Sequence, residues 1–457
     1  MDAMTASITE PQPGDAVETV KRVIGEIDRH EPKLQAVVER LEVTALAEAR
    51  RCDELAATGT RAGLLHGLPI VIKDIIDVSG QPTRSGSLTR ANNPACEHDA
   101  PVVAALRGAG AIPVAKTNTV EFAIGGWGTN ETVGTPCNPW DLNTHRVPGG
   151  SSSGTGVLVG GGVVPGGLGT DTGGSVRIPA ALCGCVGLKT SIGLVSRAGV
   201  TPLSDTLDTI GPLAHSVELA ARMLAVMQGA DPADPATLGR PGQCPLEGLQ
   251  RGASGMRLAR IKADQMPHLS GEMAAAFDHA LDQLREAGAT ITDIEMPMPL
   301  DEYQALSGAI SAAEAYATYA ELADDPTSPL AKPNRQRILS GKKITAAELI
   351  RIRRERDRAI ADFEAVIDRA DAIVLPTVPY AAIPVADVDE RLMHMSSHTR
   401  FGNYLALAGL AVPMGLTASG LPASLQIVVR RFDDPLALRI GAAFEKVRGP
   451  FAPPNLG

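Results

Sequence analysis

In AVETVKRVIGEI, residues Val17, Val20, Val23, Ile24 and Ile27 recur at intervals of three and four, which lays one apolar stripe along a helix. Pro32 interrupts that pattern, and VERLEVTALAEARRCDELAA predicts a second helix ending near Gly59. LPIVIKDII is a short β-rich run that carries Lys73. DAPVVAALRGAG followed by AIPVAKTN reads as a helix and then a buried strand, and the same helix–glycine–strand order returns in GEMAAAFDHALDQLREAGATITDIEMP. TAAELIRIRRERDRAIADFEAVIDRADAIVLPTVP predicts one long amphipathic helix leading into a strand, with RIRRERDR as a solvated face laced by intrahelical pairs. Residues 230–255 are rich in Pro and Gly and read as a surface excursion. Such alternation is what an α/β domain with a mixed or parallel sheet produces. With no internal repeat and no linker, residues 1–457 are expected to form a single large domain, residues 1–60 being its N-terminal helices.

Composition narrows the function classes. The chain is 44% hydrophobic and 21% charged, so it can bury a sizeable core, and with only 3% aromatics that core must rest on Ala, Val, Leu and Ile. A net charge of −10 argues against phosphate-backbone binding, so no nucleic-acid partner is expected. The cysteines at 52, 96, 137, 183, 185 and 244 are scattered, which fits reduced thiols. Cys183 and Cys185 form a C-x-C pair with no second pair to complete a zinc site, and His394-x-x-x-His398 has no acid pattern beside it, so no metal is expected. MDAMTASITEPQPGD has no basic n-region and no apolar h-region of a signal peptide, and no apolar run reaches membrane-spanning length. A cytoplasmic protein without a membrane partner is the expectation.

The stretch from Val147 to Ser175, VPGGSSSGTGVLVGGGVVPGGLGTDTGGS, concentrates glycine around two groups of serines, and Asp171 is its only charge. Glycine adds backbone entropy and no side chain to bury, so the stretch reads as a poor helix or strand. A phosphate cradle is one reading, but no lysine follows as in a Walker A loop, and the preceding THRVPGG is a poor strand for a dinucleotide fingerprint. A nucleophile elbow is a second: Gly150-Ser151-Ser152-Ser153-Gly154 satisfies G-x-S-x-G with Ser152 as nucleophile, yet no buried strand precedes it. The third uses the whole stretch. Amide hydrolysis needs a strong nucleophile and a stabilised oxyanion. A buried, uncharged lysine can act as base, a second serine can relay the proton, and Thr172-Gly173-Gly174-Ser175 offers successive amides with little side-chain bulk.

PGGSSSGTG…GLGTDTGGSVRIPAALCGCVGLK resembles the amidase signature family of Ser–Ser–Lys hydrolases. The likeness extends to HGLPIVIKD, DAPVVAALRGAGAIPVAKTNTVEFA, GTPCNPWD, LSDTLDTIGPLAHS, ADAIVLPTVP and GLPASLQIVVRRFDDPLAL, and so covers the chain after residue 60. It implies an α/β fold with a central mixed sheet covered by helices on both faces, residues 61–216 forming the signature core and 217–457 the remainder of the same domain. It makes Ser175 the acylated nucleophile, Ser151 a bridging serine on a cis peptide, and Lys73 the base. The amides of Thr172, Gly173 and Gly174, with that of Ser175, become the oxyanion hole, and Ile124, Gly125 and Gly126 line the acyl pocket. No cofactor is implied.

Each role has a plainer counterpart. Ser152 and Ser153 are expected to bond backbone groups where a helix begins. Lys116 is the rival to Lys73, with a supporting or surface role otherwise. Asp171 and Arg177 are expected to pair as structural support, the sharper alternative being Arg177 as a substrate-carboxylate clamp. Trp127 and Thr190 stand where small polar residues and proline are frequent in the family, which bears on pocket shape. The implied activity is hydrolysis of C–N bonds in small amides, extending to aryl amides, esters or carbamates. The main rival is the amidase subunit of a tRNA-dependent glutamine amidotransferase, disfavoured by the acidic charge and by the absence of an evident helical tail after ALRIGAAFEK. A non-catalytic binding scaffold is disfavoured by the retained serines and lysine. The partners expected are a small amide substrate and, as large α/β hydrolases often pair, a second copy of the chain.

Overall fold

The strands join one mixed sheet in the computed structural model, which describes residues 14–457. The reading of residues 1–13 as free of a signal peptide lies outside the described residues. In chain order the strands are β1 (Val37–Arg40), β2 (Pro69–Lys73), β3 (Ile112–Thr117), β4 (Gly166–Asp171), β5 (Val186–Lys189), β6 (Thr209–Ala214), β7 (Arg257–Ile261), β8 (Thr290–Ile294), β9 (Ala372–Pro376), β10 (Ala408–Leu416) and β11 (Pro422–Val429). Across the sheet they lie in the order β1-β3-β2-β4-β6-β5-β10-β11-β9-β7-β8. β3, β2 and β4 run parallel, as do β9, β7 and β8, while the strands between them are antiparallel. Helices cover both faces, each over its own apolar cluster. Among the described residues, no helix is long and apolar enough to cross a membrane.

The helical periodicities seen in the sequence correspond to real helices. Ala16–Leu34 buries Val20, Val23, Ile24 and Ile27, and Pro32 sits inside its last turn rather than ending it. Ala346–Ile367 starts at a capping box in which Thr345 and Glu348 satisfy each other's backbone N–H. Two local readings need correction. Val37–Arg40 is a strand, because it pairs antiparallel with β3, and the second helix begins only at Glu42. RIRRERDR is a largely solvated face as expected, but its longer-range partners lie on other elements: Arg353 pairs with Glu314 and Arg356 donates to the Tyr404 carbonyl at 2.6 Å, while Arg351 donates to the Ala347 carbonyl of its own helix at 3.3 Å.

The larger correction concerns the glycine-rich stretch. Most of it is buried and about half of it regular: Ser153–Gly160 is a helix and Gly166–Asp171 is β4. Glycine serves here as a spacer of zero width. A Cβ on Gly160 would stand 2.1 Å from the Cys183 carbonyl oxygen, and one on Gly169 would stand 2.6 Å from Ser152 Oγ. The helix can therefore lie directly on β4 and on the helix Arg177–Cys183, and tertiary packing overrides the poor intrinsic propensity.

Candidate active site

The carboxyl ends of the parallel strands β2, β3 and β4 open on one edge of the sheet, where α/β folds place their ligands. Side-chain alternation along β2 sends Ile70 and Ile72 into one apolar cluster and Val71 into the other. Lys73, two residues beyond Val71, therefore points to the face that carries the helix Ser153–Gly160. Its Nζ, fully buried, donates to Ser151 Oγ at 2.7 Å and to Thr170 Oγ1 at 2.8 Å. Burial lowers its pKa to about 7, against the opposing charges of Asp208 and Asp171. The Gly150–Ser151 peptide is cis.

Ser175 lies on the turn between β4 and the helix Arg177–Cys183, and it is 7% exposed. Its carbonyl accepts from Ser152 Oγ at 2.5 Å and from the Ser152 amide at 3.2 Å. Ser152 thus pins the backbone of Ser175 instead of capping the helix, and its side chain makes no cap bond. Ser153 Oγ donates to the Asn118 carbonyl at 3.3 Å. Ser152, the neighbour of Ser151 in the chain, ties the start of the helix to the Ser175 backbone.

The Asp171 carboxylate organises the turn. It accepts from the Gly174 amide at 2.8 Å, the Val176 amide at 3.3 Å and Asn403 Nδ2 at 2.8 Å. Burial pushes its carboxyl pKa up, but Arg177, Lys189 and Asn403 outweigh that and hold it well below the usual carboxylate range. Arg177 is fully buried and spends all five N–H donors inside the protein, on Asp171 twice, Thr399, Gln426 and Asn403. It has no donor left for a substrate carboxylate. The Gly174 amide is likewise committed, to Asp171. The amides of Thr172, Gly173 and Ser175 have no protein acceptor among the described residues, and these three residues line the adjoining cavity.

That cavity has a volume of about 820 Å³, and Ile124, Gly125 and Gly126 form part of its wall. Trp127 turns away from it, buried, with Nε1 donating to the Leu392 carbonyl at 2.9 Å. Thr190 is buried and bonds the Ile210 carbonyl at 2.8 Å. Lys116 is not at the surface: it is buried and paired with Asp74 at 2.8 Å, and it donates to Pro82 O and Thr83 Oγ1. His398 is buried with both ring nitrogens facing carbonyls of Pro376 and Pro267, while His394 stacks on His268. The two histidines therefore do not converge on a common point. Burial raises the Cys183 and Cys185 thiols, leaving them unreactive.

Several groups at the site have no assigned role in the sequence reading. Thr170 is the second partner of Lys73. Asp208 accepts from Thr172 Oγ1 at 2.5 Å and from the amides of Leu203 and Ser204, and burial raises its carboxyl pKa. Thr399 Oγ1 donates to the Gly173 carbonyl at 2.7 Å. Thr170 and Asp208 lie within recognisable motifs, GLGTDTGGS and LSDTLDTIGP, but Thr399, Arg400 and Asn403 arrive from a segment with no local signal.

Known proteins share this arrangement of elements. Residues 18–438 match the family model described as Amidase. A glutamyl-tRNA(Gln) amidotransferase subunit from Anaeromyxobacter sp. (strain K) is 36% identical over 468 residues, covering 96% of this chain and 94% of its own length. Among solved structures, a chain of a vestigial protein complex said to reveal the evolutionary origins of an s-triazine catabolic enzyme superimposes with a TM-score of 0.88 at 28% identity, over 94% of this chain and 95% of that one. Peptide amidase from Stenotrophomonas maltophilia gives 0.83 at 28% identity, over 96% and 94%. On sequence and on fold alike, the chain belongs to the amidase family, the amidase signature enzymes.

Proposed function

We propose that the protein hydrolyses small amides through an acyl-enzyme on Ser175, with Ser151 relaying a proton to Lys73. The observation that carries this reading is the 2.7 Å contact between Ser151 Oγ and a buried lysine whose pKa falls to about 7. Such a lysine is substantially uncharged at neutral pH and so able to accept a proton. Ser175 Oγ attacks the carbonyl carbon, its proton passes to Ser151, and the Ser151 proton passes to Lys73. The oxyanion that forms is placed to accept from the amides of Thr172, Gly173 and Ser175, with Gly174 serving the turn through Asp171. Collapse breaks the C–N bond, and the leaving nitrogen takes a proton back by the same route. Water then adds to the acyl group along the reverse relay and releases the acid.

Asp171 and Arg177 act in this reading as support for the turn, and Ile124, Gly125 and Gly126 as part of the acyl pocket. The deciding experiment pairs an activity screen on amides, esters and carbamates with labelling by a fluorophosphonate. Label on Ser175 and its loss in Ser175→Ala support the mechanism, while label on Ser152 would move the nucleophile to the rival elbow. The similarity to an amidotransferase component favours a second reading, in which the chain is a glutaminase that works within a complex. Amide hydrolysis by the purified chain alone favours the first, and glutaminase activity appearing only with partner proteins favours the second.

A further inference from the structure

Arg400 enters the cavity beside the nucleophile turn. Its Nε donates to Ser396 Oγ at 3.2 Å, and among the described residues neither Nη atom has an acceptor and no carboxylate pairs with the guanidinium. The other arginines of this region are spent. Arg337 pairs with Glu390 at 2.7 Å and donates to the Ile124 carbonyl at 3.0 Å; Arg391 pairs with Asp389 at 2.6 Å. Arg177, behind the turn, has no free donor. Burial and the nearby Arg337 charge bring the Arg400 pKa down to about 10, which leaves it cationic at neutral pH. Arg400 is half-buried, with its guanidinium lining the cavity, and a partly desolvated cation with unspent donors is a ready partner for an anion.

Its position relative to the turn is closely determined. A Cβ on Gly173 would stand 3.1 Å from Arg400 Nε and 3.4 Å from Cζ, and a Cβ on Gly308 would stand 3.3 Å from Nη1. Glycine at both places leaves room for the guanidinium between the turn and the helix Leu300–Asp324. The neighbouring Thr399 ties this segment to the Gly173 carbonyl, and Asn403 ties it to Asp171. The unspent donors are thus fixed next to the amides proposed to hold the oxyanion.

We propose that Arg400 binds a carboxylate of the substrate, so that the preferred substrates are short amides ending in an anion, such as the mono-amides of dicarboxylic acids. The guanidinium fork matches a carboxylate in two parallel hydrogen bonds. The proposal rests on Ser175 being the nucleophile, because that fixes which carbonyl lies beside Arg400.

The test compares ammonia release from malonamate, succinamate and glutaramate with release from the neutral diamides malonamide, succinamide and glutaramide. It uses the full chain and the variants Arg400→Gln and Arg400→Lys, with fluorophosphonate labelling of each sample. The native protein should prefer the best anionic amide by at least about tenfold in kcat/KM. Arg400→Gln should cut that preference by roughly tenfold to a hundredfold, mainly through KM, and Arg400→Lys should restore part of it. Free succinate or malonate should slow labelling of the native protein. The inference is overturned if the labelled native protein cleaves diamides as well as mono-amides and dicarboxylates give no protection, a result that needs no variant to fold. It is also overturned if Arg400→Gln keeps the full preference. Absence of both labelling and turnover would instead remove the Ser175 reading, and this inference with it.

Discussion

In the proposed relay Lys73 acts only in its uncharged form. Burial opposes the ammonium and brings the pKa from 10.5 to about 7, so kcat/KM should rise as pH increases through about 7 and level off above it. Asp208 is a negative charge that raises this pKa, so Asp208→Asn should move the rising limb to lower pH; a shift to higher pH contradicts the assignment. Lys73→Met should lower kcat by about 10²–10⁴-fold with the fold intact, as loss of a general base does. Lys116→Met should act differently. It strands Asp74 without its partner in a pair whose side chains are 0% and 2% exposed, which costs about 3–5 kcal/mol. A denaturant titration should show that loss while the folded fraction keeps its turnover. Lys73, Ser151 and Ser175 were legible as motif residues. Thr170 lies in the same motif, but its role was not legible there, because it depends on a lysine 97 positions away.

At the scale of elements, the glycine-rich segment decides how the site is built. Its helix and strand approach so closely that Ser152 packs on Gly169 of the strand and bonds the Ser175 carbonyl. Gly160→Ala should therefore be costly despite alanine's better helix propensity, because its Cβ would meet the Cys183 carbonyl at 2.1 Å. Overpacking of this kind costs about 1–3 kcal/mol, so the urea midpoint should fall; an unchanged or raised midpoint would show that the helices can separate freely. Periodicity located the helices Ala16–Leu34, Gly271–Glu286 and Ala346–Ile367 because their stripes are local, but the longest helix, Leu300–Asp324, was not read from the sequence. β1 was hidden in a helix-like run because its strand state comes from pairing with β3.

For the molecule as a whole, His398 offers a pH-dependent test of stability. It is buried and uncharged, with its pKa lowered from 6.5 to about 4. Below about 6.5 the unfolded chain takes a proton that the folded chain refuses, so the stability contribution present above 6.5 is lost as pH falls toward 4. The loss is on the order of 3 kcal/mol, and His398→Gln should flatten this part of the stability–pH curve measured by chemical unfolding. The same packing links the halves of the chain: the segment around Thr399 locks a turn 226 positions earlier.

The sequence by itself determined the alternation of helices and strands, the family, and the residue types able to open an amide, because periodicity and motifs are local properties of the chain. Only the tertiary structure decided which lysines burial brings to a pKa of about 7, Lys73 and Lys189, and which of the two meets a serine hydroxyl, which arginine is spent and which has donors left, and which amide of the turn is already bonded. Each of those depends on desolvation and on partners supplied by distant segments, and neither is written in the residues around the group concerned.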